Sequence, residues 1–248
     1  MGIIRDYFPK PLQTPALNAL PLVKKARYFG FNRYCPVCNS HVRLFKAAGV
    51  FKRPDAICPV CNSGERHRLV SLFLDREQER FLGKKILHIA PERMIAKRLR
   101  GFSPEGYLSA DINESRAMVK MDITSIQYPD KSFDVVYCSH VLEHVSDDLL
   151  ALREFHRVLD DRGIAVIQVP ILGDSTFEDP SITDPEERQR LFGQHDHVRR
   201  YGPDIKARIE GEGFVVTEYG SIDFNGVKRA SKMVLKNLSV FLCEKVSS

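Results

Sequence analysis

The feature that most constrains this chain is a short motif written twice. Cys35-Pro36-Val37-Cys38-Asn39-Ser40 recurs as Cys58-Pro59-Val60-Cys61-Asn62-Ser63, with 19 residues between the two cysteine pairs. A two-residue gap lets both thiolates of one tight turn face the same point, and two such turns complete a tetrahedron. The shared Pro and Asn-Ser fit knuckle turns whose amides can hydrogen-bond the sulfurs. Four thiolates in a reducing compartment favour Zn2+, with rubredoxin-like iron and a redox dithiol as alternatives. With four protein ligands no position is open, so an ion at Cys35, Cys38, Cys58 and Cys61 is structural. His41 and His67 flank the knuckles without being needed as ligands. Cys138 and Cys243 fall in apolar runs, where cysteine reads as a small buried residue.

The motif lies in a basic segment. Residues 1–84 hold 15 basic and 6 acidic side chains (+9), and residues 85–248 hold 22 and 26 (−4). The asymmetry suggests two units with different partners, the first facing something anionic, unless it is only a solvated basic face. Pro9, Pro11, Pro15 and Pro21 fix their own φ and disfavour helix before them, so residues 1–34 read as an extended arm. The arm ends in Lys24-Lys25-Ala26-Arg27-Tyr28-Phe29-Gly30-Phe31, cations interleaved with aromatics. That pattern suits nucleic acid or an anionic surface; the plainer reading packs the aromatics onto the arm's own domain. Residues 35–67 then form the cysteine ribbon and residues 68–84 a linking helix. Hydrophobic residues at 43% and charged residues at 28% describe an ordinary globular chain. No apolar run approaches the ~18 residues of a membrane span. The first six residues lack a secretory core, so the expected location is cytoplasmic.

From Lys85 the pattern changes. Apolar runs at Ile86–Ala90, Tyr107–Ala110, Phe133–Cys138 and Ile164–Val169, with a short one at Val119–Ile123, alternate with helical segments. The clearest helix runs through Leu149, Leu152, Phe155, Val158 and Leu159 and is expected to stop at Gly163. Such alternation predicts an α/β, doubly wound, mainly parallel sheet over 85–248. Phe214–Tyr219 and Leu238–Cys243 have no helix-length pattern between them and suggest an antiparallel pair at the sheet edge. Ligands bind such sheets at the carboxyl ends of the strands. Asp111 ends the second strand, about 20 residues past the first, where an acid meets ribose hydroxyls. Asp122 follows the third. Each aspartate is also a turn former or helix cap.

Asp111, Asp122-Ile123-Thr124, Ser132-Phe133-Asp134 through His140-Val141-Leu142-Glu143-His144-Val145, and Leu152–Leu159 together resemble class I S-adenosylmethionine-dependent methyltransferases, the type 11 group in particular. The resemblance runs from about Lys85 to the C-terminus; the whole chain is similar to bacterial methyltransferases with a four-cysteine ribbon in front. It implies a Rossmann-like seven-stranded sheet, the last strand antiparallel, with a small N-terminal zinc ribbon. It implies S-adenosylmethionine as cofactor, with Asp111 on the ribose, Asp122 on the adenine amino group and Ser139 and His140 beside the methionine part. The cofactor-binding set is Ala90, Pro91, Glu92, Asp111, Ile112, Asp122, Ile123, Ser139 and His140. One departure stands out: the usual first-strand loop is glycine-rich, and here His88-Ile89-Ala90-Pro91-Glu92 has none.

Methyl transfer needs alignment of acceptor and methyl, and in some cases a base. Histidine titrates near neutrality, which makes His144 the first catalytic candidate and His140 the second. On a helix-like Val141–Val145 turn these two would share a face and Glu143 would point elsewhere. Packing or capping is the plainer role for both. Residues 170–200 form the longest stretch without a sheet pattern, with a helix start at Asp184-Pro185, and occupy a place suited to covering a substrate. His195, Asp196 and His197 cluster near its end, a weak metal pattern. His197, Arg199 and Tyr201 are read as substrate contacts, with helix capping as the alternative. The methyl acceptor is undetermined: RNA, a glycan and a small molecule all stay open. A different class of answer is a catalytically inactive scaffold whose ribbon binds nucleic acid or protein.

Overall fold

The computed structural model describes residues 22–49, 52–235 and 238–246. They divide into two compact units: residues up to 71 together with 225–236, and residues 72–224 together with those from 237 on. The block expected over 85–248 is therefore interrupted, because 225–236 belongs to the small unit. The boundary at 71/72 falls inside helix α1, Glu65–Arg76.

The small unit contains two hairpins. Strand β1 (Arg33–Cys35) pairs with β2 (Ser40–Val42), and β3 (Lys46–Ala48) with β4 (Arg53–Ile57), both antiparallel. Asn39 and Asn62, the equivalent residues of the two repeats, have φ of 51° and 63°. Asparagine tolerates this left-handed conformation better than most side chains, so the repeated Asn answers a backbone demand. Residues 22–28 are helical, not extended. This stretch has no proline and several good helix formers; the four prolines of the expected arm lie outside the described residues. Buried Arg68 donates to the carbonyls of Met233 (2.6 Å), Ala56 (2.9 Å) and Asp55 (3.2 Å) and lies over the Phe45 ring.

The large unit is a seven-stranded sheet flanked by helices. Its strands are β5 (Ile86–Ile89), β6 (Tyr107–Asp111), β7 (Val119–Lys120), β8 (Phe133–Ser139) and β9 (Leu159–Gln168), followed after a two-residue pair, β10 (Phe177–Glu178) and β11 (Arg199–Arg200), by β12 (Phe214–Gly220) and β13 (Ser239–Lys245). The order across the sheet is β12-β13-β9-β8-β5-β6-β7. Strands β5 to β9 run parallel, while β13 is antiparallel to both β9 and β12. The C-terminal pair is thus antiparallel as expected, but β13 lies inside the sheet and only β12 forms the edge. Parallel strands buried on both faces need uninterrupted apolar runs, and Val135–Cys138 and Ile164–Ile167 are buried throughout.

Helices α2 (Arg93–Phe102), α3 (Asp148–Val158), α4 (Pro185–Phe192) and α5 (Ile205–Glu210) connect the strands. Helix α3 starts where Asp147 accepts the Leu150 amide and ends at Val158, earlier than Gly163 suggested. β9 begins at once with Leu159, and Gly163 lies within it. The expected start of α4 is observed: Asp184 caps it through the Glu187 amide, Pro185 follows, and Gly193 ends it at φ 93°. Among the described residues no helix is long and apolar enough to cross a membrane.

Candidate functional site

Two groups of side chains converge, one in each unit. In the small unit the sulfurs of Cys35, Cys38, Cys58 and Cys61 all lie within 4.8 Å of one another. Cys35 and Cys61 are 3.7 Å apart, Cys38 and Cys58 3.8 Å. Metal–sulfur bonds of roughly 2.3 Å give tetrahedral edges of about 3.8 Å, so the donors fit one dication of zinc's size. The Ser63 hydroxyl sits 3.2 Å from Cys35 Sγ and 3.0 Å from Cys61 Sγ. His67 is not part of the cluster: its Nδ1 accepts the Gly64 amide at 2.8 Å. Cys138 and Cys243 are buried in the large unit, and burial raises both thiol pKa values.

In the large unit the chain runs β5, β6, β7 to one side and then returns to place β8 on the other side of β5. In open α/β sheets such a reversal is where ligands bind, here at the carboxyl ends of β5 and β8. Register brings the predicted residues to that edge. Ile89 pairs with both Ala110 and Cys138, so Ala90, Asp111 and Ser139 end neighbouring strands, and the Met121 amide bonds the Asp111 carbonyl just before Asp122. Asp111 is 9% exposed and its Oδ1 accepts the Asn113 amide at 2.7 Å. Beside it Ile112 is 64% exposed. An anchored carboxylate next to an open apolar side chain suits a ribose and its base.

Other members of the set differ in setting. Asp122 Oδ1 holds its own turn through the Thr124 amide and hydroxyl, while Ile123 is packed into the core. Ser139 is buried and donates to Gln168. Pro91 and Glu92 lead into α2, with Glu92 at the N-cap. Ala90 and His140, which follow β5 and β8, have φ of 47° and 54°. The first loop thus adopts, without glycine, a conformation that favours glycine.

Beyond β8 lies a 3-10 turn, Leu142–His144. Three residues per turn bring i and i+3 together, so His140 meets Glu143, with Nδ1 3.2 Å from Oε1. The expectation that Glu143 points away from these histidines assumed α-helical spacing and is corrected here: Glu143 lies against His140 and within reach of His144. His144 turns to the 195–197 segment: its Nδ1 is 3.3 Å from Asp196 Oδ2, and its ring stands edge-on to His197 at 4.7 Å. His197 is buried, which lowers its pKa, and its Nδ1 lies 3.0 Å from the Phe192 carbonyl. Glu143 is 1% exposed. Sequence reasoning passed over it because its neighbours in space come from 54 residues later; the adjacent Glu-His pair was the available signal.

Arg199 and Tyr201 are buried scaffold side chains, not the substrate contacts expected of them. Arg199 binds the carbonyls of Leu142 and Ser146, each at 2.8 Å, and that of Val145, and pairs with Glu178. Tyr201 donates its hydroxyl to buried Asp148 at 2.6 Å. The segment around 197–201 therefore fixes the turn that carries Glu143 and His144. A cleft of about 600 Å³ lined by Lys131, Arg153, Arg157 and Glu212 sits instead at the amino ends of the strands. Its charges satisfy one another, as in Lys131–Asp161 and Arg157–Asp130. In the small unit Lys24, Arg27, Tyr28 and Lys46 line a hollow of about 260 Å³, with both Arg27 and Lys46 against the Tyr28 ring.

Residues 87–167 match the sequence model of a family described as a methyltransferase domain. No curated protein matches the chain. Solved structures share its fold at low identity. An S-adenosylmethionine dependent methyltransferase from Mesorhizobium loti aligns over 73% of this chain and 100% of its own, at 13% identity and a TM-score of 0.53. The Bacillus subtilis YcgJ protein aligns over the same shares at 15% identity and 0.51. The [4+2]-cyclase SpnF aligns over 73% and 82% at 14% identity and 0.50. Residues 87–167 thus match a methyltransferase model by sequence pattern, and the sheet that contains them shares the fold of these structures.

Proposed function

We propose that the chain is an S-adenosylmethionine-dependent methyltransferase with a structural zinc ribbon. The observation that carries this reading is the reversal of strand order at β5/β8, with Asp111, Ser139 and His140 at the carboxyl ends of the strands, inside the segment that matches the methyltransferase model. Bound there, the cofactor supplies a methyl group on a sulfonium. Asp111 holds the ribose hydroxyls through the oxygen that Asn113 leaves free, and Ile112 covers the base. Asp122 and Ile123 border the adenine, and Ala90, Pro91 and Glu92 form the floor under the methionine part. Ser139 and His140 flank the sulfur.

Proton removal falls to His144 or His140. Asp196, 3.3 Å from His144 Nδ1, is placed to stabilise the cation formed when that ring takes a proton. His197 keeps its place beside that ring. The four sulfurs hold zinc, consistent with their separations and with a reducing, cytoplasmic setting. The cationic hollow at Lys24, Arg27 and Lys46 favours an anionic partner for the small unit, RNA included.

Calorimetric titration of the full chain with S-adenosylhomocysteine tests the reading. Saturable binding that weakens about 10- to 100-fold in Asp111→Ala, the order expected for lost hydrogen bonds to a buried carboxylate, supports it. No heat and no thermal shift favour instead a scaffold with the same fold. SpnF, a cyclase by its own description, illustrates that the fold alone does not specify the reaction. Association with RNA that falls steeply with salt identifies a nucleic-acid acceptor.

A further inference from the structure

Glu143 presents a physical problem. Its side chain is 1% exposed, and neither carboxylate oxygen receives a hydrogen bond. The His140 nitrogen 3.2 Å from Oε1 approaches without hydrogen-bonding geometry. Burying a carboxylate without a counter-charge costs several kcal/mol or forces protonation. Yet two further donors converge on this group: one ligand atom each from Glu143, His144 and His197 lie within 4.8 Å of one another.

His197 has one ring nitrogen engaged and the other free for ligation. His197 Nδ1 faces the Phe192 carbonyl at 3.0 Å. A carbonyl only accepts, so Nδ1 carries the proton and Nε2 keeps its lone pair. His144 Nδ1 lies 3.3 Å from Asp196 Oδ2, an ion-pair contact that places an acceptor beside the ring. A ring nitrogen bonded to a carbonyl or carboxylate is the arrangement that fixes metal-binding histidines. The supporting backbone is held as well. Val198 N donates to the Glu143 carbonyl at 2.9 Å, and buried Arg199 ties together the carbonyls on either side of the Glu143–His144 pair.

We propose that Glu143, His144 and His197 form a second, open divalent-metal site that takes a first-row ion such as Mn2+ or Zn2+ and offers it to an oxygen of the methyl acceptor. Two imidazoles and one carboxylate suit these ions, and three protein ligands leave coordination positions free. This contrasts with the closed sulfur cluster. An acceptor hydroxyl bound to such an ion loses its proton more readily. The ion site stands on geometry alone; its bearing on the acceptor rests on the methyl-transfer reading.

The test is a titration of the zinc-loaded full chain with Mn2+, following loss of the free-ion electron paramagnetic resonance signal. Mn2+ is the probe because it is the weakest binder of the series and does not displace zinc from thiolates. One Mn2+ per chain is expected, with affinity reduced at least tenfold in Glu143→Gln and in His144→Asn, a partly exposed position whose replacement leaves the core intact. Absence of Mn2+ binding, or unchanged affinity in both variants, overturns the proposal. Calorimetry with S-adenosylhomocysteine on the same sample separates the two readings: ion binding without nucleoside binding removes methyl transfer but keeps the site, and the reverse removes the site alone.

Discussion

Among the described residues one apolar cluster of the small unit contains Cys35, Val42, Phe45, Cys58 and Val60, with further buried side chains such as Leu69 and Met233 outside it, whereas one cluster in the large unit contains 25 buried side chains. Two of the five are members of the sulfur cluster. A small apolar core offsets only part of the entropy of ordering its chain, which is why units of this size use metal staples. Each unit also buries an arginine against loop carbonyls, Arg68 in one and Arg199 in the other. In the small unit that clamp and the sulfurs dominate; in the large unit the clamp only shapes a rim on a core that stands without it. Where a fold is held by few strong contacts, each is indispensable; where it is held by many weak ones, the rim is free to carry chemistry.

The sharpest way to break this contrast is Cys58→Ser. A structural thiolate site contributes on the order of 10 kcal/mol, so the small unit is expected to lose amide-exchange protection while the sheet strands keep theirs. Loss of protection in β8 and β9 as well would mean that the units do not differ as described. Next come the arginines. Arg199→Met is expected to lower stability by about 3–5 kcal/mol in calorimetry, since it removes a buried charged donor from three carbonyls, while Asp148 keeps Tyr201 and Arg208. A cost below ~1 kcal/mol would place the large unit's loops outside its cooperative fold.

The pH dependence gives a similar, slightly smaller effect. His88 is fully buried against Tyr107, and burial pushes its pKa down to about 4. The unfolded chain binds that proton near pH 6.5 and the folded one does not. Stability is therefore full above pH 6.5 and falls by about 3 kcal/mol as pH drops towards 4. Chemical denaturation of the wild type and His88→Gln across this window should show a shallower slope in the variant. The smallest effect concerns Ala90. Relief of its left-handed backbone in Ala90→Gly should raise stability by at most ~1 kcal/mol, against some added entropy in the unfolded chain. A loss instead would show that the Ala90 methyl packs more than its backbone strains.

Legibility followed distance along the chain. The sulfur cluster was readable because each knuckle is a local turn, and the repeated Asn even marks the left-handed residue. The order of strands and helices from Ile86 to Gln168 was readable from apolar periodicity, and the acids at strand ends from their spacing. What escaped depended on long-range meeting. Arg199 and Tyr201 looked like exposed contacts because arginine and tyrosine usually are; their burial follows from partners at Leu142, Ser146 and Asp148, more than 50 residues away. Glu143 joined the site through a 3-10 turn, a difference of pitch that residue types alone do not encode.

The carbonyls that Arg68 holds have a bearing on how this protein is made. One of them, that of Met233, lies 165 residues downstream. A ribosome that has already released both cysteine pairs must still synthesise most of the chain before that contact can close. The cysteine-bearing segment therefore waits, ion bound or not, for the arrival of the residues around Met233. A fragment ending near residue 71 would carry all four sulfurs and lack its keystone.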